Sequence, residues 1–117
     1  MPRMLIVDDD ARFRRTLHMA LASYGYKVSD AADWKAALAS AATSASDLIV
    51  LDWQLPGMDG IQTFLVLRAS SGVPVILVSG TRANSKGVAL DAGANDYLAK
   101  PFSINDLLTR IEAVLKP

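Results

Sequence analysis

Five short apolar runs alternate with five stretches of helical periodicity, and that alternation constrains the fold of this chain more than any other feature. The runs are Met4–Val7, Lys27–Ala31, Asp47–Leu51, Pro74–Val78 and Asp96–Ala99. Three of them (the first, third and fourth) are almost unbroken in apolar residues, as strands are when both faces are covered. Strands of that kind, each followed by a helix, imply a parallel sheet with right-handed crossovers and helices on both sides. A chain of 117 residues suits one such doubly wound domain.

The intervening stretches carry their own punctuation. Phe13, Leu17, Ala20, Leu21 and Tyr24 fall on one helical face, with Asp10 placed as N-cap and Gly25 placed to end the helix. Trp34, Ala37, Leu38 and Ala41 form the stripe of a second helix. A third begins near Asp59, where Asp59 and Gln62 have capping-box spacing, and its apolar positions include Ile61, Phe64 and Leu65. A weaker fourth helix is predicted over 84–92, closed by Gly93. The fifth has a capping box in Ser103 and Asp106 and a stripe of Ile104, Leu107, Leu108, Ile111 and Leu115.

Charge sits at the ends of the strands. The first run ends in Asp8-Asp9-Asp10, the third in Asp52, the fourth in Ser79-Gly80 and the fifth in Lys100-Pro101-Phe102. In an open parallel sheet the carboxyl ends of the strands lie together, and ligands bind in the crevice there, here between the first and third strands. Clustered carboxylates repel one another, and a cation removes that cost. Oxygen-only donors with no His or Cys nearby favour a hard ion: Mg²⁺ first, with Mn²⁺ and Ca²⁺ as alternatives. Lys100 adds a positive charge, Ser79 a hydroxyl, and Pro101 holds Lys100 in extended geometry, with a cis bond as one option. A carboxylate nucleophile, a metal, a lysine and a hydroxyl together make a phosphoryl-transfer site.

Other classes are weakened by what is missing. Lys+Arg and Asp+Glu balance at 12 each, so no basic footprint for nucleic acid or a membrane surface stands out. Hydrophobic residues at 51% exclude a disordered segment. The absence of cysteine removes disulfides and thiolate metal sites and is compatible with a reducing compartment. Met4 to Val7 is too short for a secretory signal, and no apolar run approaches a membrane span, so a cytoplasmic location is expected.

In this order and spacing the residues resemble the receiver domain of two-component response regulators. The resemblance covers essentially the whole chain, 1–117, read as one receiver domain that is either stand-alone or excised from a longer protein. It is carried by Asp8-Asp9, by Asp52 with Pro56-Gly57-Met58-Asp59-Gly60 behind it, by Ser79, by Ala92-Gly93-Ala94, by Tyr97 and by Lys100-Pro101-Phe102. It implies a flavodoxin-like (βα)5 domain with a five-stranded parallel sheet in the order 2-1-3-4-5. Gly80 departs from the alanine usual after the switch hydroxyl, and function is expected to survive that change.

The resemblance also implies roles. Asp52 takes a phosphoryl group from a histidine kinase or histidine phosphotransfer protein. Asp9, Asp52 and the backbone carbonyl of Gln54 ligate Mg²⁺, and Asp8 acts mainly through a bound water. Lys100 pairs with a phosphoryl oxygen, Ser79 hydrogen-bonds the aspartyl phosphate, and Tyr97 follows it inward. Gln54 and Thr81 tune hydrolysis. The consequence is a shift in the face built from the fourth helix, fifth strand and fifth helix, which reaches a downstream output domain or protein and offers a surface for a homodimer. Catalysis is confined to phosphoryl acceptance and autodephosphorylation, with no metabolic reaction, no direct nucleic-acid contact by this segment and no membrane partner.

Three rival readings differ in what they need. A binding module of the same fold that is never phosphorylated would tolerate loss of any of Asp8, Asp9, Asp52, Ser79 or Lys100, and all are present. A flavodoxin-like cofactor binder needs a phosphate loop of backbone N–H groups where this chain has an acidic triplet. A haloacid-dehalogenase-like phosphatase would want an acid two residues after Asp52, where Gln54 stands.

Overall fold

A computed structural model describes residues 2–43, 46–52, 54–55, 58–70, 72–80, 90 and 93–116, with the backbone alone at 34, 40–43, 54–55, 58–63 and 70. Its elements are β1 (Arg3–Val7), α1 (Ala11–Ser23), β2 (Lys27–Ala31), α2 (Trp34–Thr43), β3 (Leu48–Asp52), β4 (Gln54–Leu55), β5 (Met58–Asp59), α3 (Gly60–Ser70), β6 (Val75–Ser79), β7 (Asp96–Ala99) and α4 (Ile104–Leu115). The helix α4 is thus the fifth helical stretch of the sequence. The predicted fourth, 84–92, lies outside the described residues except for Leu90, which is helical.

The main sheet is parallel and ordered β2-β1-β3-β6-β7. Counting only its own strands, that is the order 2-1-3-4-5, as expected. The period-two alternation of strand side chains divides the core into two layers. Leu5, Val7, Ile49, Leu51, Val75 and Leu77 face one side and pack with Ala37, Phe64, Leu67 and Tyr97. Met4, Ile6, Leu48, Val50, Ile76 and Val78 face the other and pack with Leu17, Leu21, Leu107, Leu108 and Ile111. Strands β3 and β6 are buried at every position, which is why their sequences are continuous apolar runs. The edge strand β2 is largely exposed and carries Lys27 and Asp30, charges that discourage edge-to-edge pairing. The His18 ring lies 3.3 Å from Asp30 and ties α1 to that edge.

Helix ends follow the punctuation where the described residues include it. Asp10 caps α1, its Oδ1 accepting from the N–H groups of Arg12 and Phe13 at 3.0 and 3.2 Å. Gly25 leaves that helix at φ +93°, a conformation other residues rarely adopt. Gly93, at φ +107°, donates its N–H to the Leu90 carbonyl, 3.0 Å away. Ser103 and Asp106 form the reciprocal capping box of α4, at 3.0 and 3.1 Å. Ser103→Ala should cost about 1 kcal/mol of stability, read as a lower urea midpoint with an unchanged slope. An unmoved midpoint would mean that solvent replaces the cap at no cost.

Two stripe residues depart from expectation. Tyr24 is 59% exposed, because it is the C-cap of α1 and its backbone (φ −94°, ψ 8°) has already left the helix. Leu65 is 50% exposed and Leu67 takes its place beside Phe64. Residues 64 to 67 are all apolar, so periodicity alone does not choose a face there, and tertiary packing does. The side chains of Trp34, Ala41, Asp59, Ile61 and Gln62, expected to line or cap α2 and α3, lie outside the described residues. The antiparallel pair β4–β5 was not anticipated from the sequence. Among the described residues no helix is long and apolar enough to cross a membrane.

Candidate functional site

The carboxyl ends of β1, β3, β6 and β7 meet at one edge, and the chain places its acids, lysine and hydroxyl there. Two strands extend one residue further than the apolar runs suggest, so Asp52 and Ser79 are the last residues of β3 and β6. The ladders hold them: Asp52 is in register with Val78, and Ser79 with Ala99. Both are buried, Asp52 at 6% exposure and Ser79 at 1%. Lys100 follows β7 and donates its backbone N–H to the Ser79 carbonyl at 2.7 Å, which ties the two loops together. The Lys100–Pro101 peptide bond is cis.

Asp8 is held through its backbone and through both carboxylate oxygens. Its backbone N–H donates to the Ala31 carbonyl at 3.1 Å, and its own carbonyl accepts from Arg14 Nη1 at 2.7 Å. Its Oδ1 accepts from the Asp10 N–H at 2.9 Å, and its Oδ2 faces Lys100 Nζ at 2.8 Å. Asp9 points to solvent. Asp8, Asp9 and Asp52 nonetheless each bring one carboxylate oxygen within 4.8 Å of the others.

Lys100 bridges the cluster, with Nζ 2.8 Å from Asp8 and 3.9 Å from Asp52. Among the described residues these three carboxylates outnumber the one ammonium that bridges them, and two of the three, Asp8 and Asp52, are buried. A divalent cation offsets that excess, and the all-oxygen donor set fits a hard ion. Both oxygens of Asp8 already have donors, whereas Asp9 is exposed to solvent.

The backbone of Gln54 lies two residues beyond Asp52 in β4, beside this edge, but its side chain and all of Thr81 lie outside the described residues. Among the described residues a Cβ at Gly80 would meet only Lys100 Cβ, at 4.0 Å, an ordinary van der Waals contact. Tyr97 is 7% exposed, and its ring already lies in the core layer of Phe64 and Leu77.

Two residues of α1 at the site escaped the sequence reading. Arg14 grips the Asp8 carbonyl, and Phe13 presents its ring to Lys100, with Nζ 4.3 Å from the centroid. Phe13 has the spacing of a core residue, and an arginine beside an apolar stripe is the only signal Arg14 gives.

Comparison with known proteins agrees with this geometry. The sequence model of the response regulator receiver domain matches residues 4–112. The chain is 45% identical over 117 residues to the KDP operon transcriptional regulatory protein KdpE of Escherichia coli, covering 99% of this chain and 52% of that protein. It is 41% identical to the transcriptional regulatory protein PrrA of Mycobacterium tuberculosis, covering 98% of this chain and 50% of that one. The chain thus spans about half the length of these curated relatives. Among solved structures, the Francisella response regulator 1452 receiver domain superposes with a TM-score of 0.93 at 35% identity, covering 99% of this chain and 98% of the other. The BeF3-activated N-terminal receiver domain of Klebsiella pneumoniae RstA gives 0.92 at 26% identity, covering 98% and 99%.

Proposed function

This chain belongs to the response regulator receiver domain family, and from that premise we propose that it is a signalling switch in which Asp52 accepts a phosphoryl group from a phosphohistidine donor. The observation that supports this most is the contact set of Lys100, whose ammonium lies 2.8 Å from Asp8 and 3.9 Å from Asp52 at the mouth of the acidic cluster. A cation there can leave a carboxylate for a phosphoryl oxygen without crossing the site.

In this reading an Asp52 carboxylate oxygen attacks phosphorus. The P–O bond forms as the P–N bond to the donor histidine breaks, and the departing imidazole nitrogen takes a proton. Asp9, Asp52 and the backbone carbonyl of Gln54 would hold Mg²⁺, or Mn²⁺ in its place, with Asp8 reaching it through water. When bound, the ion supplies charge neutralisation for the acids and the incoming phosphoryl oxygens. Lys100 shifts from the carboxylates onto a phosphoryl oxygen, and the Ser79 hydroxyl donates to another. The buried Tyr97 ring shares a core layer with Leu77 of Ser79's own strand. It would carry a Ser79 movement to β7 and α4, the face that would signal. Gln54 and Thr81 would set the lifetime of the acyl phosphate.

The partners in this proposal are a histidine kinase or phosphotransfer protein upstream and an output domain or protein downstream. Relatives of twice this length are in keeping with an output segment in the parent protein. A homodimer through the α4–β7 face belongs to the same proposal. The test is intact mass after incubation with Mg²⁺ and acetyl phosphate. One phosphoryl adduct is expected, and none when EDTA is present. No adduct under either condition would leave a phosphorylation-independent binding module.

A further inference from the structure

The geometry points to Phe13 as a positioning residue for Lys100. The Lys100 ammonium stands 4.3 Å from the centroid of the Phe13 ring, within range of a cation–π attraction. Phe13 is itself held. Phe102 meets it edge to face, with centroids 5.8 Å apart and planes at 81°, and both rings lean on the core layer of Leu17 and Leu107. Phe13 comes from α1 and Phe102 from the loop after β7, so the ring that faces the lysine is braced from the opposite end of the chain.

The chemistry explains why a ring is useful there. Lysine is a point charge on a flexible four-carbon stem, with rotatable donors and no preferred direction. At this site its side chain is 25% exposed, so solvent competes for it. Asp8 holds the ammonium by a directional hydrogen bond that must be released if Lys100 is to serve a phosphoryl oxygen. A π face attracts the charge without consuming an N–H. The ammonium can therefore turn from Asp8 Oδ2 toward Asp52 while the ring keeps it from swinging into water. This residue acts through Lys100 and touches no reacting atom.

The kinetic consequence rests on the phosphoryl-acceptor reading, but the contact itself does not, and the two are separable. In protein without divalent ion or phosphodonor, the Lys100 ε-methylene protons should be shifted upfield by the ring current. That shift should persist in Phe13→Tyr and vanish in Phe13→Leu, which keeps apolar bulk and removes the π face. With Mg²⁺ and acetyl phosphate, Phe13→Leu should be labelled about five- to tenfold more slowly, as loss of a partly desolvated cation–π contact implies. Phe13→Tyr should restore the rate to within about twofold, and a merely structural role would not produce that rescue together with the lysine shift. An unshifted Lys100 in the wild type overturns the inference, as does a Phe13→Leu rate equal to wild type. If the wild type takes no label at all, the acceptor reading fails, and the lysine resonance alone decides the role of Phe13.

Discussion

An Asp52→Asn protein is expected to take up no phosphoryl group and to keep its fold. The amide is nearly isosteric with the carboxylate but has no anionic oxygen to attack phosphorus. Its backbone would stay in the β3–β6 ladder, where residue 52 pairs with Val78. Asp9 is the exposed acid nearest by, and its position at the end of β1 gives it no buried, lysine-flanked pocket of its own. Intact mass with acetyl phosphate and Mg²⁺ reads the result directly, and an adduct retained at Asp9 or elsewhere would sink the assignment.

The same substitution should move stability in a direction that a purely structural aspartate would not. Asp52 repels Asp8 and Asp9 and attracts Lys100, all within a few ångströms. Two repulsions and one attraction of similar size leave one net repulsion. At an effective dielectric of about 20 that is on the order of 1–3 kcal/mol. Without divalent ion Asp52→Asn should therefore unfold at higher urea than wild type. With Mg²⁺ the order should narrow or reverse, because the variant has lost a ligand and gains less from binding. A variant less stable than wild type without divalent ion would show that hydrogen bonding to Asp52 outweighs charge repulsion.

The fold was legible because its physical cause acts on every strand. Burial on both faces demands continuous apolar residues, and β1, β3 and β6 display them. The acidic cluster was legible for a related reason: strand-end residues of a parallel sheet converge whatever their separation in sequence. Asp8 and Lys100 meet at 2.8 Å across 92 residues on that principle alone. Where the local pattern was silent, the reading fell short. Leu65 and Leu67 lie in one unbroken apolar stretch, and only the sheet beneath selects between them. Tyr24 has the right spacing but sits where the helix has already turned away. Periodicity also cannot separate an aromatic facing leucines from one facing an ammonium, so Phe13 read as core alone. Arg14 reaches a backbone carbonyl, a partner with no residue identity to notice in a sequence.

Removing the lysine tests the electrostatic logic from the other side. In Lys100→Ala the three carboxylates would face one another with no ammonium between them. Truncating one partner of a fully buried pair costs about 3–5 kcal/mol. Lys100 is 25% exposed, and water would recover part of that, so about 2 kcal/mol is the expected loss without divalent ion. Mg²⁺ should bind roughly tenfold more tightly, since it no longer competes with the ammonium for Asp8 and Asp52 and meets a more negative site. The added ion should then close most of the stability gap. The rate of phosphoryl uptake should move the opposite way, falling about 10²-fold, the usual cost of losing one group that stabilises charge in the transition state. Tighter metal binding with slower transfer is the signature that separates a role in transfer from one in holding the apo protein together. Lys100→Arg sharpens the comparison. It keeps the charge, and so most of the stability, but a planar fork cannot turn from Asp8 to a phosphoryl oxygen as an ammonium can. Urea unfolding across a Mg²⁺ series, paired with acetyl phosphate labelling rates, measures both arms. Labelling and Mg²⁺ affinity both within twofold of wild type in Lys100→Ala would remove Lys100 from the proposed chemistry and leave it a surface charge.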